Sequence, residues 1–397
     1  MTASPPEGDG AIRLAILGST GSIGRSALAV VERHPERFRV VALAANRSGE
    51  LLCEQVRRFR PVTAVLADGS ALPDPGKRPP ATWAAGRAAL LELCERGDVD
   101  VVVNALVGSA GLQPTVRALE AGKRLALANK ESLVAGGPLV LEAARHGGGE
   151  LVPVDSEHSA ILQCLRGSER EDLKRVVLTA SGGPFRGRKA EELAHVGPAD
   201  ALDHPTWDMG SKITVDSASL ANKALEVVEA HFLYEMPYDS IDVVVHPQSV
   251  VHSFVEFVDG SVLAQVGFPT MELPILYALS HPRRVPDSTL RTFDPVESSP
   301  LTFEEVDREC FPLFGIGIAA GRTGGTAPAV FNAANEVAVE AFLEGRLDFT
   351  GIARVVESCL RELEPRPVEA VADVWEADRA ARERARAEVG AGIGPGE

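Results

Sequence analysis

Short apolar runs alternate with amphipathic stretches along the first 154 residues. Apolar runs predict strands at 12–17, 39–44, 62–67, 99–104, 124–128 and 151–154, and helical spacing predicts helices near 23–34, 48–59, 84–96, 112–121 and 133–146. Nearly continuous apolar strands separated by helices imply a parallel sheet covered on both faces, a Rossmann-like doubly wound layer. The Pro/Gly-rich stretch at 73–80 reads as a surface loop, and Gly147-Gly148-Gly149 as a break before the last strand.

The pattern then changes. Strands are expected at 175–179, 241–246, 252–257 and 261–266, with Asp259-Gly260 a hairpin signal between the last two. Residues 217–235 read as one helix. About 282–312 is rich in Pro, Ser and Thr with little periodicity, and helical patterns follow near 312–321, 327–344, 349–363 and 370–389. The expected class is α/β: a flexible tail at 1–10, a nucleotide-binding unit at 11–154, a central α/β unit with a mixed sheet at 155–285, a linker at 286–311 and a C-terminal helical bundle at 312–397.

Composition narrows the function classes. The chain has 397 residues, 45% hydrophobic and 24% charged, with a formal net charge of −16. So acidic a protein is a poor candidate for nonspecific binding to nucleic acid or anionic lipid, and an anionic substrate must meet a local cluster of donors. The five cysteines are scattered, with no C-x-x-C pair, which argues against a disulfide framework or zinc site and for a reducing cytoplasm. The N-terminus lacks the pattern of a secretory signal, and no apolar run approaches the roughly 18 residues of a membrane helix.

Gly18-Ser-Thr-Gly21-Ser-Ile-Gly24 joins the first strand to the first helix. Glycines there let the backbone turn tightly and present helix N-terminal amides to a pyrophosphate. At the end of the second strand, where an NAD enzyme usually carries an acid, this chain has Asn46-Arg47-Ser48. Arg47 can meet a 2′-phosphate, so NADP(H) is favoured, although an exposed cation at a helix start is equally common.

Asp155 and Glu157 follow the sixth strand, and continued extended geometry points both to one face. Hard oxygen donors there suit Mg²⁺ or Mn²⁺; surface carboxylates are the plainer reading without a third ligand. Projecting 217–235 as a helix places Asn222, Lys223 and Glu226 opposite its apolar face, either a third metal ligand with phosphate donors or a solvated face. Ser217 serves as phosphate donor or N-cap. Ser181-Gly182-Gly183-Pro184 offers a hydroxyl and backbone amides, or simply turns the chain. The segment 204–212, with Trp207 and Met209, reads as a lid. His246 and His252 read as structural.

These segments resemble the 1-deoxy-D-xylulose 5-phosphate reductoisomerase family. GSTGSIG (18–24), LANKES (127–132), PVDSEH (153–158), SGGPF (181–185), HPTWDMG (204–210), VDSASLANKALE (215–226), HPQSVVHS (246–253) and NAANE (332–336) stand in the family's order along nearly the whole chain. The resemblance implies NADPH- and divalent-metal-dependent conversion of 1-deoxy-D-xylulose 5-phosphate to 2-C-methyl-D-erythritol 4-phosphate, by a homodimer using Mg²⁺ or Mn²⁺, with Co²⁺ as a further ion. Matched motif by motif, it assigns Asp155, Glu157 and Glu226 to the metal and catalytic roles to Lys130, Glu157 and His204. Substrate contacts fall to Lys130, Ser156, Glu157, Ser181, His204, Ser217, Asn222, Lys223 and Glu226. Thr20, Gly21, Ser22, Ile23, Asn46, Arg47, Ser48, Asn129, Glu131 and Gly210 would line the cofactor site.

Three positions depart from the family pattern: Asn46 and Ala224 stand where glycine is common, and Ser211 where a basic residue is common. The competing expectations are a metal-independent NADP dehydrogenase acting on a semialdehyde and a non-catalytic NADP-sensing protein. Neither needs three acids, a lid and phosphate donors together.

Overall fold

The computed structural model describes residues 10–207 and 209–390, so the tail predicted at 1–10 lies outside the described residues apart from Gly10, as does Asp208 of the predicted lid. In chain order the first layer is β1 (Ile12–Leu17), α1 (Ser22–Arg33), β2 (Phe38–Ala45), α2 (Gly49–Phe59), β3 (Thr63–Leu66), β4 (Thr82–Ala85), α3 (Arg87–Glu95), β5 (Val101–Asn104), α4 (Leu112–Glu120), β6 (Arg124–Leu127), α5 (Glu131–Gly147) and β7 (Glu150–Pro153). The seven strands form one sheet in the order β4-β3-β2-β1-β5-β6-β7, every pair parallel. Strand alternation splits β1 between two cores. Leu14 and Ile16 face α1 and α2, while Ala15 and Leu17 face α3, α4 and α5.

The second region is α6 (Ser156–Cys164), β8 (Leu173–Ala180), α7 (Ala190–Leu193), α8 (Pro198–Leu202), α9 (Ser211–Ala218), α10 (Ala221–Leu233), β9 (Ile241–Val245), β10 (Val251–Phe257), β11 (Val262–Val266) and α11 (Glu272–Ser280). Its sheet runs β11-β10-β8-β9, mixed as expected: β8 and β9 are parallel, and β10 is antiparallel to both β8 and β11. The C-terminal helices are α12 (Pro312–Thr323), α13 (Ala327–Leu343), α14 (Phe349–Glu362) and α15 (Val371–Gly390). One core runs from Val176 and Leu178 of β8 through Leu225 and Val228 of α10 to Phe331 and Phe342 of α13.

Four local expectations change. The helix expected at 84–96 is found as α3, but begins later, because residues 84–85 end a short edge strand, β4, that was not expected. The helix expected at 217–235 is two helices, because Leu220 adopts a left-handed conformation (φ 59°) between α9 and α10. Helix α6 replaces the extended geometry expected at Asp155–Glu157, since the Asp155 carboxylate caps it by accepting the amides of Glu157 and His158. Helix α11, buried on nearly all sides, was not anticipated. Its Ile275, Leu276, Ala278 and Leu279 pack on the parallel sheet beside α1.

The stretch at 282–312 lacks helices, as expected, and is anchored. Glu304 pairs with Val245, and Phe303 stacks on His246 with ring centroids 4.6 Å apart. Asp287, 2% exposed at its side chain, lies 2.9 Å from Arg33 Nε and 3.1 Å from His34 Nε2, and accepts the Thr289 hydroxyl and amide. Burial alone would raise this carboxyl's pKa, but these donors hold it well below the ordinary carboxylate range. A depressed folded pKa contributes stability above the unfolded value near 4, lost as pH falls toward the folded value. We therefore expect Asp287→Asn to lower unfolding free energy at pH 7 by about 1–3 kcal/mol. Urea titrations of both proteins should show that gap narrowing below about pH 4.

Candidate active site

Two elements bring three acids together. Asp155 caps α6, Glu157 occupies its first turn, and Glu226 lies on α10. One carboxylate oxygen from each lies within 4.8 Å of the other two. Glu226 is 2% exposed, so the helix face opposite the apolar one is not a solvated face; it lines a buried site. Each negative charge sits where a positive partner or dipole meets it, as burial requires. Asp155 is at a helix N-terminus, the favourable end for an anion.

Two ammonium groups complete the cluster. Lys130, in the turn between β6 and α5, lies 2.6 Å from Asp155 Oδ2 and 2.9 Å from Glu226 Oε1. Lys223 donates to Glu226 Oε2 and lies 3.9 Å from Glu157 Oε1. Burial would lower both lysine pKa values, yet the surrounding carboxylates raise them, so both stay charged. Burial, opposed by Lys223 and reinforced by Glu226 and Asp155, pushes Glu157 up to about 8. Three carboxylates, one buried and two partly buried, thus share two ammonium groups. Their hard oxygens converge where a small divalent cation would restore the balance, so the residues present fit Mg²⁺ or Mn²⁺.

Beside the acids lies a hydroxyl-lined recess. Ser181 Oγ and Ser217 Oγ each lie 3.1 Å from His204 Nε2. His204 Nδ1 accepts the backbone amides of Thr206 and Trp207 at 3.1 and 3.0 Å, so the neutral ring carries its proton on Nε2, facing the serines. Burial lowers the His204 pKa and keeps the ring neutral. Ser217 lies in the last turn of α9, so it is not an N-cap. Asn222 donates to Glu226 Oε1 at 2.5 Å, and Ser156 to Glu157 Oε2 at 2.8 Å. The acids, the two lysines, the three serines and Asn222 line a cavity of about 210 Å³ together with Ser22, Ile23, Trp207 and Met209; His204 stands behind the serines. Its wall also includes Ser26, Ala128, Ile213, Leu220 and Met271, which sequence reasoning missed. Met271 precedes α11, which carried no periodic signal; Leu220 falls inside the single helix expected at 217–235.

The glycine turn is where strand β1 meets α1. A Cβ on Gly18 would come within 2.4 Å of Ala105 O, and one on Gly24 within 2.3 Å of Gly18 O, so neither position accommodates a side chain. Gly21 is the N-cap of α1, with no side chain over the helix amides. A second cavity, about 320 Å³, collects Gly21, Ser22, Ile23, Lys130, Glu131 and Gly210. Thr20, Asn46, Arg47, Ser48 and Asn129 are not part of its wall. Arg47, 78% exposed at its side chain, pairs with Asp68 at 2.7 Å. Asn129 is fully buried and donates to Leu106 O, Gly108 O and Glu131, which fixes the loop that carries Lys130. His246 and His252 are buried. His246 lies 2.8 Å from Thr302 O, and burial brings the His252 pKa down to about 4, as structural roles require.

The 181–184 turn approaches α9 closely. Gly183 has φ +66°, and a Cβ there would lie 2.7 Å from Ser217 O. Gly183→Ala should therefore destabilise the protein by about 1–3 kcal/mol and push Ser181 and Ser217 apart. Thermal denaturation should reveal the first effect; inorganic phosphate binding, measured by calorimetry, should be weaker by roughly tenfold.

Family models described as 1-deoxy-D-xylulose 5-phosphate reductoisomerase and its C-terminal domains match residues 14–137, 151–234 and 266–384. The chain is 47% identical over 403 residues to 1-deoxy-D-xylulose 5-phosphate reductoisomerase of Thermosynechococcus vestitus, covering 99% of this chain and 96% of that protein. It is similar in structure to the reductoisomerase from Zymomonas mobilis in complex with NADPH (TM-score 0.88, 41% identity, 96% and 99% coverage). A DOX-P reductoisomerase in complex with NADPH, fosmidomycin and magnesium matches at TM-score 0.89 and 37% identity, covering 96% of this chain and 98% of that one. With the acid cluster, the hydroxyl recess and the glycine turn all in place, the chain belongs to the 1-deoxy-D-xylulose 5-phosphate reductoisomerase family.

Proposed function

We propose that this protein isomerises 1-deoxy-D-xylulose 5-phosphate and reduces the product to 2-C-methyl-D-erythritol 4-phosphate, using NADPH and Mg²⁺ or Mn²⁺. The observation that carries this reading is the convergence of Asp155, Glu157 and Glu226 beside a recess lined by neutral donors. Relatives of the same fold bind NADPH and magnesium, and one holds fosmidomycin as well. When bound, the cation supplies Lewis acidity at the substrate's carbonyl and adjacent hydroxyl oxygens, and NADPH supplies the hydride.

The chain's own residues bind, orient and exclude water. Asp155, Glu157 and Glu226 hold the cation. Ser181, Ser217 and Asn222, with the His204 Nε2–H, receive the phosphate, a remote group whose binding aligns the reacting carbons. Lys130 and Lys223 place fixed positive charge beside the oxygens on which negative charge develops. Ser156 orients Glu157 through its hydroxyl. Trp207 and Met209 form the apolar wall that keeps water from the aldehyde. The α1 amides and Gly21, Ser22, Ile23, Glu131 and Gly210 line the dinucleotide's path, with Thr20 on the same turn and Asn129 bracing the opposite loop. Arg47, flanked by Asn46 and Ser48, meets the 2′-phosphate.

The same reading includes three chain units at 11–154, 155–285 and 312–397 with a linker at 286–311, a cytoplasmic location and a homodimer. All five cysteines are free, which supports a reducing compartment. No helix among the described residues is long and apolar enough to cross a membrane. Strand β11 forms one edge of its sheet, with Val262 and Leu263 about half exposed, an apolar edge suited to a second copy of the chain.

NADPH oxidation followed by absorbance tests the activity. It should require both 1-deoxy-D-xylulose 5-phosphate and a divalent cation, and stop on chelation. Asp155→Asn and Glu226→Gln should each lower kcat/KM by roughly 10²-fold or more, about 3 kcal/mol of lost transition-state stabilisation. Turnover that survives chelation, or near-normal Asp155→Asn, would replace this reading with a metal-independent dehydrogenase. In sedimentation the protein should run as a dimer, and Val262→Lys should shift it toward monomer.

A further inference from the structure

The C-terminal helices contribute no side chain to the 210 Å³ cavity, yet one of them grips the helix that does. Asp216, in the last turn of α9, is 1% exposed. Its Oδ1 accepts the amide of Asn335 on α13 at 2.7 Å, a contact spanning 119 residues of chain. Its Oδ2 lies 2.7 Å from Lys212 Nζ, one turn back on α9. Asn335 is fully buried, and among the described residues its own Oδ1 has no partner, so the bond to Asp216 is its side chain's polar link there. Lys212 sits two residues after Gly210 and lines the 320 Å³ cavity. Burial opposes its charge, but Asp216, Glu131 and Glu336 outweigh it and raise its pKa.

Helix stability does not account for this arrangement. A cation in the first turn opposes the helix dipole, and lysine ahead of aspartate is the poorer order for an i,i+4 pair. Apolar residues of similar volume would pack α9 against α13 at no desolvation cost. A buried, directional triad instead selects one orientation of α9 on α13. Ser217, next to Asp216, then faces one cavity while Lys212 faces the other.

We propose that Asn335 is a positioning residue: through Asp216 it locks α9 in the orientation that presents Ser217 to the phosphate and Lys212 to the dinucleotide. The inference rests on the proposed function for what those two cavities bind.

Asn335→Leu keeps the volume and removes the donor; Asn335→Ser is the second variant. Two readouts separate positioning from stability. With Trp83 and Trp375 replaced by Phe, acrylamide quenching reports on Trp207, which leads into α9. Its quenching constant in ligand-free protein should rise roughly twofold or more, because a smaller fraction of molecules holds α9 in place. For the same reason the NADPH Kd and the KM for the sugar phosphate should each rise about tenfold, with kcat at saturation within about twofold. Asn335→Asp, which sets two carboxylates face to face, should do worse, and adding Asp216→Asn should recover most of the loss by restoring donor and acceptor. A folded Asn335→Leu protein with unchanged quenching and Kd overturns the proposal. So does failure of both single variants to fold, which assigns Asn335 to the core alone. If the parent protein turns over no substrate, the proposed function fails, while the ligand-free quenching comparison still decides the role of Asn335.

Discussion

Holding three carboxylates, one buried and two partly buried, within reach of one another is the constraint that organises this molecule. Moving one ionised carboxylate out of water carries a penalty of several kcal/mol, and like charges at this separation add to it. Lys130 and Lys223 offset most of that, and each must come from a different element: one from the loop after β6, the other from α10. The acids likewise come from α6 and α10. The loop after β6, α6 and α10 therefore have to be held against one another. Part of that packing is the core in which Val134 of α5, Ile161 of α6 and Leu225 of α10 meet β8 and α13. Deleting one partner would leave an uncompensated buried charge, so site and fold cannot drift independently.

The kink at Leu220 follows from the same demand. One straight helix over 217–235 would set Ser217 and Lys223 on faces fixed by the 100° step. Breaking it lets α9 present Ser217 to the hydroxyl recess while α10 turns Lys223 and Glu226 toward the acids. A left-handed leucine carries a backbone cost of order 1–3 kcal/mol, tolerated where the surroundings over-determine it. Leu220 is 3% exposed in the main core, which supplies that support.

Much of this was legible in the sequence. Apolar runs located six of the seven parallel strands because both faces of the sheet are covered, and the four C-terminal helices stood out by their periodicity. The misses have common physical causes. Strand β4 is short and only partly buried, so it carries no run. Helix α11 is apolar on every side, so it shows no 3.6-residue contrast. Asp155 caps a helix with an ordinary carboxylate, and a carboxylate after a strand looks the same whether the chain extends or coils. The acids themselves were legible as a set, but their burial was not, since a charged helix face reads as solvated until a partner element covers it.

The proposed function asks a chain with net charge −16 to receive an anion, and the hydroxyl recess offers it neutral donors. Its two nearest ammonium groups already face carboxylates. The remaining donors are neutral: two serines, an imidazole held in one tautomer by two backbone amides, and a glycine turn pressed against α9. Neutral donors gain less per contact than ammonium groups but bring no repulsion to a neighbouring divalent cation. A recess lined by lysines would compete for the acids; one lined by hydroxyls leaves them for the metal. Under the proposed function, this arrangement of α6, α9 and α10 separates the two charges of the substrate, phosphate on neutral donors and reacting oxygens on the cation.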